Sequence, residues 1–423
     1  MTLRKNILAN YLGTGVAALS PLFALPWYLT SLGPKQFGVI SFVVLIQALL
    51  GLVDAGMSQA LVREFSVRLN KAVFGRSEAA TLLLGFERVY WVFALLAGLA
   101  TYFSADAIAS LWLNLDGMDV TTGQHAIYGA AIVFSFQFPG SIYRSLLVAA
   151  QEHVRFNAIL SSGALLRHGG GVVVVLIWPT LNAYLAWQAL IAFSETLIRG
   201  TLAWKTLNTS PSKVQWSSIA LRPVWKTVAG MSAAVWLGSL TVQIDKVLLS
   251  RLTSLEQLGY YAIASTLALG ALQLISPLVQ AVLPRAIQLR SNPDELRNLS
   301  IKLARSIGAV VGISVLVFVA TGHWLLEFWL RNPAAAEVIY PTLSVLLAGT
   351  ALNALYNVGY VNWIANGQIQ KVLLVNAFSL LLALVFIPSM VAIHGAIGAA
   401  FGWSIMNLLG LLMSLDWLKK TRK

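Results

Sequence analysis

Long apolar runs separated by short polar breaks recur along this chain from Ile7 to Trp417. A bilayer core about 30 Å thick takes roughly 20 apolar residues per helical crossing. The pattern therefore predicts about twelve transmembrane helices rather than one soluble core. The expected spans are 7–31, 38–62, 79–104, 124–150, 158–178, 182–204, 226–250, 259–284, 301–320, 338–363, 371–390 and 395–417. Arg4 and Lys5 ahead of the first run imitate the start of a secretory signal, but the run to Ser31 exceeds a signal's apolar region, so it reads as a retained first helix. The fold class expected is an all-α polytopic membrane protein.

The longest polar break, 205–225, carries Pro211, Pro223 and a mixture of Ser, Thr and Lys, which suits a solvated cytoplasmic linker. It divides the chain into an N-terminal six-helix bundle, 1–204, and a C-terminal six-helix bundle, 226–423. Gln36-Phe37-Gly38 opens the second expected span and Gln257-Leu258-Gly259 the eighth, and these spans end at Arg63 and Arg285. Ala150-Gln151-Glu152 and Ala365-Asn366-Gly367 form a weaker echo. Repeats of six crossings keep the same direction through the membrane, so the axis relating them runs along the membrane normal and a cleft between the bundles is expected.

Composition agrees: 58% of the 423 residues are hydrophobic and 11% charged, and the mean hydropathy is +0.75. A net charge of +13 would suggest nucleic-acid binding in a soluble protein. Here the basic residues instead gather in alternate loops, from Arg63, Arg68, Lys71 and Arg76 to Arg285, Arg290, Arg297 and Lys371. Only Lys35, Arg251 and Arg331 fall on the other side, where 105–123 carries Asp106, Asp116 and Asp119. Positive residues collect on the cytoplasmic side, so both termini are expected inside, with no nucleic-acid partner. The chain has no cysteine, and its five histidines lack metal-ligand spacing, so no metal is expected. No nucleophile-base constellation or large outer loop is present to support an enzyme such as a polysaccharide polymerase or glycan transferase.

Several motifs resemble the polysaccharide-biosynthesis flippases of the multidrug/oligosaccharidyl-lipid/polysaccharide (MOP) superfamily. They are Lys5-Asn6-Ile7-Leu8-Ala9-Asn10-Tyr11, Leu32-Gly33-Pro34-Lys35-Gln36-Phe37-Gly38, and Asp54-Ala55-Gly56 through Leu61-Val62-Arg63-Glu64. Ile244-Asp245-Lys246-Val247-Leu248-Leu249 and Leu258-Gly259-Tyr260-Tyr261 look like the start of the second half of those proteins. The resemblance implies a V-shaped pair of bundles that moves an undecaprenyl-diphosphate-linked O-antigen or exopolysaccharide unit from the cytoplasmic to the periplasmic leaflet by alternating access. It implies membrane lipids, a polysaccharide polymerase and a chain-length regulator as partners, no bound cofactor, and coupling to a proton or sodium gradient. The competing reading within the superfamily is an ion-coupled multidrug exporter.

Such a flippase must shelter a diphosphate, so charges inside its crossings are the candidate chemistry; each costs several kcal/mol unless it meets a cavity or a partner. Arg167, in the fifth crossing with no acid near it in sequence, is the first choice for the diphosphate, because a guanidinium fork suits phosphate oxygens. An ion pair between the bundles is its structural alternative. Neighbouring His168 is either a packing residue or a proton-linked one. Arg144 either receives phosphate at the cytoplasmic entrance or snorkels, and Arg88 joins the substrate-binding candidates. Glu195 and Arg199 have the spacing of a local ion pair. Glu87 and Arg88 point about 100° apart, so they do not simply neutralise each other, and Glu87 becomes a candidate proton site. Asp54 and Asp245 are read as gate, ion-coupling or structural residues that pair with a base of another helix, with Lys246 snorkelling or gating beside Asp245. Asn353, Asn357 and Tyr360 lie on one helical stripe that either meets glycan or glues helices. Pro21 and Pro26 would let the first helix bend.

Overall fold

The computed structural model describes residues 3–71, 74–215 and 218–418. The motif at 5–11 falls among residues whose side chains, Asn10 apart, are outside the description. Two units organise the chain, Met1–Ser239 and Leu240–Lys423.

The first unit holds α1 (Leu3–Leu69), α2 (Gly75–Phe103), the single turn α3 (Ala105–Ala107), α4 (Val120–Gln137), α5 (Gly140–Ala149), α6 (His153–Leu165), α7 (Gly171–Ile177) and α8 (Leu181–Thr206). It also contains the beginning of α9 (Ser218–Leu252). The second unit holds the remainder of α9, then α10 (Leu255–Gln273), α11 (Ser276–Gln288), α12 (Pro293–Leu330), α13 (Pro333–Ala365), α14 (Ile369–His394) and α15 (Ala396–Met413).

Among the described residues these elements make twelve rods that overlap the expected spans. α1 is two of them, because Gly33 leaves the helical region at φ 79, ψ 164, a conformation open to a residue without Cβ. At Pro21 and Pro26 the backbone keeps helical torsions, and Gly33 is the residue of α1 that leaves them. Their missing N–H groups do not stop the helix, and the hydroxyl of Thr30 donates to the Pro26 carbonyl at 2.9 Å. α4 and α5 form one rod interrupted at Phe138-Pro139, where proline removes a donor from the ladder. α10 and α11 are bent by 40°. Among the described residues, seven helices alone are long and apolar enough to span, or eight with this bent pair counted as one; the long kinked α1 counts once. The expected linker is shorter than the sequence suggests: α8 runs to Thr206, and helix resumes at Ser218.

Apolar residues face outward as well as inward. Leu316 and Val319 of α12 and Val385 of α14 are each more than 70% exposed, a surface that only lipid can solvate. Within the first unit Phe65, Phe86, Tyr90, Ile142 and Leu146 form a closed core. Association of helices in lipid depends on close packing more than on removal of water, which rewards small residues at contacts. Gly98 is such a contact, since a Cβ there would lie 2.2 Å from the Ser135 hydroxyl oxygen. Gly359 would meet the Ser414 backbone at 2.4 Å.

Candidate functional site

The fifth rod does not remain α-helical. Between α6 and α7, Leu166–Gly170 forms a π-turn, which accommodates one extra residue and is frequent at functional positions. Its carbonyls are served by neighbouring helices. The Trp187 indole N–H donates to Leu166 O at 2.8 Å, the Gln188 amide to Arg167 O at 3.2 Å, and the Tyr28 hydroxyl to His168 O at 3.0 Å. α1 and α8 thereby fix the turn that presents Arg167.

Arg167 Nη2 lies 3.3 Å from Glu195 Oε2, and Arg199 Nη2 lies 3.0 Å from the same oxygen. The pair four residues apart forms as the spacing predicts. The structural alternative for Arg167, a pair with a carboxylate of another helix, is formed, but α8 supplies Glu195 from within the same unit rather than from the other bundle. Room for that carboxylate comes from Gly163, where a Cβ would sit 2.0 Å from Glu195 Oε1.

Arg144, on α5, is exposed; its guanidinium lies 5.7 Å from the Phe156 ring centre and within electrostatic reach of Arg199. Two guanidinium groups thus share one carboxylate, with Arg144 as a third cation on the side of Arg199. Arg199 Nε and Thr196 Oγ1 are buried without a hydrogen-bond partner, as is His168 Nδ1. Buried polar groups are normally satisfied, so the cluster keeps hydrogen-bonding capacity that the described residues do not use.

Two carboxylates in the same unit are capped by neutral donors. Asp54 accepts hydrogen bonds from Tyr90 Oη at 2.6 Å and from Ser58 Oγ at 2.7 Å rather than pairing with a base. Glu87 accepts from the Tyr143 hydroxyl and, at 3.4 Å, from the Trp204 indole. Arg88 turns to an exposed face, apart from the buried side of α2 that holds Tyr90. An ionised carboxylate only accepts, whereas a tyrosine can donate without adding charge.

In the second unit Asp245 is 2% exposed. Tyr261 Oη donates to it at 2.6 Å and Lys246 Nζ at 3.2 Å. The base that compensates it is its chain neighbour rather than a residue of another helix, and Lys246 therefore does not snorkel. Asn353 Nδ2 donates to Asn407 Oδ1 of α15 at 2.6 Å, and Asn357 Nδ2 donates to Asn353 O at 2.8 Å. Tyr360 stands beside Tyr356, their ring centres 6.3 Å apart. The stripe of α13 is thus partly occupied in joining helices. No cluster of metal-ligating side chains occurs among the described residues.

Sequence reasoning missed Thr196, Tyr90, Tyr143, Tyr261 and Asn407. Neutral donors separated from their carboxylates along the chain leave no local signature.

Ionic clusters inside helices long enough to cross a bilayer define a polytopic α-helical membrane protein. Residues 3–290 match the family described as polysaccharide biosynthesis protein, and the chain belongs to that family. A protein of Shigella flexneri named a candidate O-antigen transporter is 21% identical over 421 residues, covering 99% of this chain and 98% of its own. Among solved structures, an inward-facing multidrug resistance MATE family transporter of the MOP superfamily superposes with a TM-score of 0.75 at 12% identity, covering 95% of this chain and 93% of its own. Lipid II flippase MurJ, in an inward closed conformation, gives 0.73 at 14% identity, covering 98% and 87%.

Proposed function

We propose that this protein is a flippase in the bacterial inner membrane that carries an undecaprenyl-diphosphate-linked oligosaccharide, an O-antigen or exopolysaccharide repeat unit, from the cytoplasmic to the periplasmic leaflet by alternating access. The pairing of Arg167 and Arg199 on Glu195, with Arg144 within electrostatic reach of Arg199, carries the reading. A diphosphate entering this cluster meets guanidinium forks that suit its oxygens, together with the unpartnered Arg199 Nε and Thr196 Oγ1. The paired carboxylate keeps the cations compensated when the site is empty. An exporter of organic cations needs the opposite charge balance, so the cluster favours the lipid-linked glycan over a drug.

The names of the relatives support the same cargo: one is an O-antigen transporter candidate and another a lipid II flippase. Both termini lie on the cytoplasmic side in this reading, as the loop charges require. Asp54, Glu87 and Asp245, each held by a tyrosine, are the groups through which a proton or sodium gradient would act. A polymerase and chain-length regulator would then use the periplasmic product.

The test is deletion of the gene followed by separate analysis of lipid-linked glycans in the two leaflets. The expected result is accumulation of one undecaprenyl-linked glycan on the cytoplasmic face, relieved by the intact gene and not by an Arg167→Ala copy expressed at equal level. Unchanged glycan distribution, or a phenotype confined to drug sensitivity, would count for the exporter.

A further inference from the structure

The end of the second unit at which α11 and α13 finish and α12 and α14 begin encloses a cavity of about 340 Å³. Its floor is buried: Leu296, Asn362 and Trp363 are 5%, 6% and 2% exposed. Its rim includes the exposed side chains of Arg290, Asn366 and Gln368. Arg290, Arg297 and Lys371 supply three positive charges to the lining, and Asp416 supplies the one negative charge.

That carboxylate is already occupied. Lys371 Nζ forms an ion pair with Asp416 Oδ2, and the Trp363 indole N–H donates to its two oxygens at 3.1 and 3.0 Å. Lys371 Nζ also lies 5.7 Å from the centre of the Trp363 ring. Asp416 thus holds Lys371 and closes one wall. The two arginines are not used in this way, and Arg297 Nε is buried with no hydrogen-bond partner. Buried donors left open beside a polar cavity point to an acceptor from outside the chain.

We propose that this cavity binds the phosphate of an anionic phospholipid of the cytoplasmic leaflet, with Arg297 and Arg290 as its main ligands and Asn366 and Gln368 at the rim. The placement rests on the orientation argued above, which sets these basic residues at the cytoplasmic surface; the binding itself is independent of what the protein transports. Basic pockets between helix ends at that surface suit lipid headgroups, where each basic residue is worth about 1 kcal/mol, or about fivefold in affinity. Farther along α12, exposed apolar side chains from Ile313 onward offer acyl chains a surface that a free phosphate would not use. Bound lipid would tie together the ends of α11, α12, α13 and α14.

The test uses the full chain in nanodiscs and in detergent. Native mass spectrometry should count retained phosphatidylglycerol in preference to phosphatidylcholine, and phosphatidylglycerol should raise the melting temperature of the intact protein. Arg297→Gln and the exposed Arg290→Gln should each weaken retention about fivefold while preserving monodispersity, and Asp416→Asn should not weaken it. Inorganic phosphate should stabilise at most at concentrations far above those of the lipid. Equal retention of the two lipids, no loss in Arg290→Gln, or stabilisation by inorganic phosphate as strong as by lipid would overturn the proposal. Because the readout is lipid retention, its failure leaves the flippase reading untouched, and a drug-exporting protein could still pass it.

Discussion

Arg167 approaches Glu195 to 3.3 Å on the same carboxylate oxygen that Arg199 occupies at 3.0 Å. The sharing makes one cation dispensable for folding. Removing Arg167 leaves Glu195 compensated by Arg199, so Arg167→Ala should reach the membrane in normal amounts. Glycan translocation should nevertheless fall at least tenfold, the equivalent of about 1.4 kcal/mol in diphosphate contact. Arg167→Lys should recover only part of it, because it keeps the charge and loses the fork. Membrane abundance and leaflet-resolved glycan, measured together, check both statements; a fall in abundance matching the fall in transport would assign Arg167 to structure.

Glu195→Gln should be the harsher change. It strips the counter-charge from two guanidinium groups at once, and breaking a buried pair from one side costs about 3–5 kcal/mol. Adding Arg167→Ala should relieve part of the loss, with a coupling of about 1–3 kcal/mol in a double-mutant cycle followed by detergent unfolding. Strict additivity would show that the three charges do not act together.

Two glycines in the same rod should separate cleanly. A Cβ at Gly163 collides with Glu195 Oε1, whereas at Gly169 nothing lies within 4 Å. Gly163→Ala should destabilise the protein by about 1–3 kcal/mol and depress transport by displacing the carboxylate. Gly169→Ala should change the melting temperature little. A reversed order would mean that Glu195 is not seated where its contacts place it.

The tyrosine caps predict a matched pair. Tyr90→Phe removes the 2.6 Å donor from Asp54, and Tyr261→Phe removes the 2.6 Å donor from Asp245. Hydrogen bonds to a charged group contribute about 1.5–3 kcal/mol. Asp54 keeps Ser58 and Asp245 keeps Lys246, so each loss should fall toward the lower end of that range. Urea or thermal unfolding in detergent measures both, and a loss below about 0.5 kcal/mol would show that the hydroxyls are not bonded to carboxylates.

The crossings were legible because lipid requires long unbroken apolar helices, a constraint that acts locally along the chain. Breaks with a local chemical cause were legible too: Gly33-Pro34 and Pro211 mark them, although α9 starts at Ser218 and runs through Pro223 inside the segment read as linker. Partners were less legible. Glu195 and Arg199 reveal themselves by helical spacing, but nothing near Arg167 in sequence announces Glu195, and nothing near Asp54 announces Tyr90. Those meetings depend on which faces of separate rods touch, which apolar periodicity cannot fix when both lipid and core are apolar. Lys246 misleads for a related reason: its nearness to an expected helix end suggested the interface, yet the adjacent Asp245 supplies a closer counter-charge.

The π-turn at Leu166–Gly170 also settles a matter of phase. One surplus residue advances everything beyond it by about 100° around the rod, and it is in this rotated frame that Val172 and Val175 point inward. Excising a single glycine there would alter no charge and remove no side chain. The final stretch of the rod would nonetheless be dialled round to offer those valines to the acyl chains, and Arg167 would be left on a helix whose far end no longer docks.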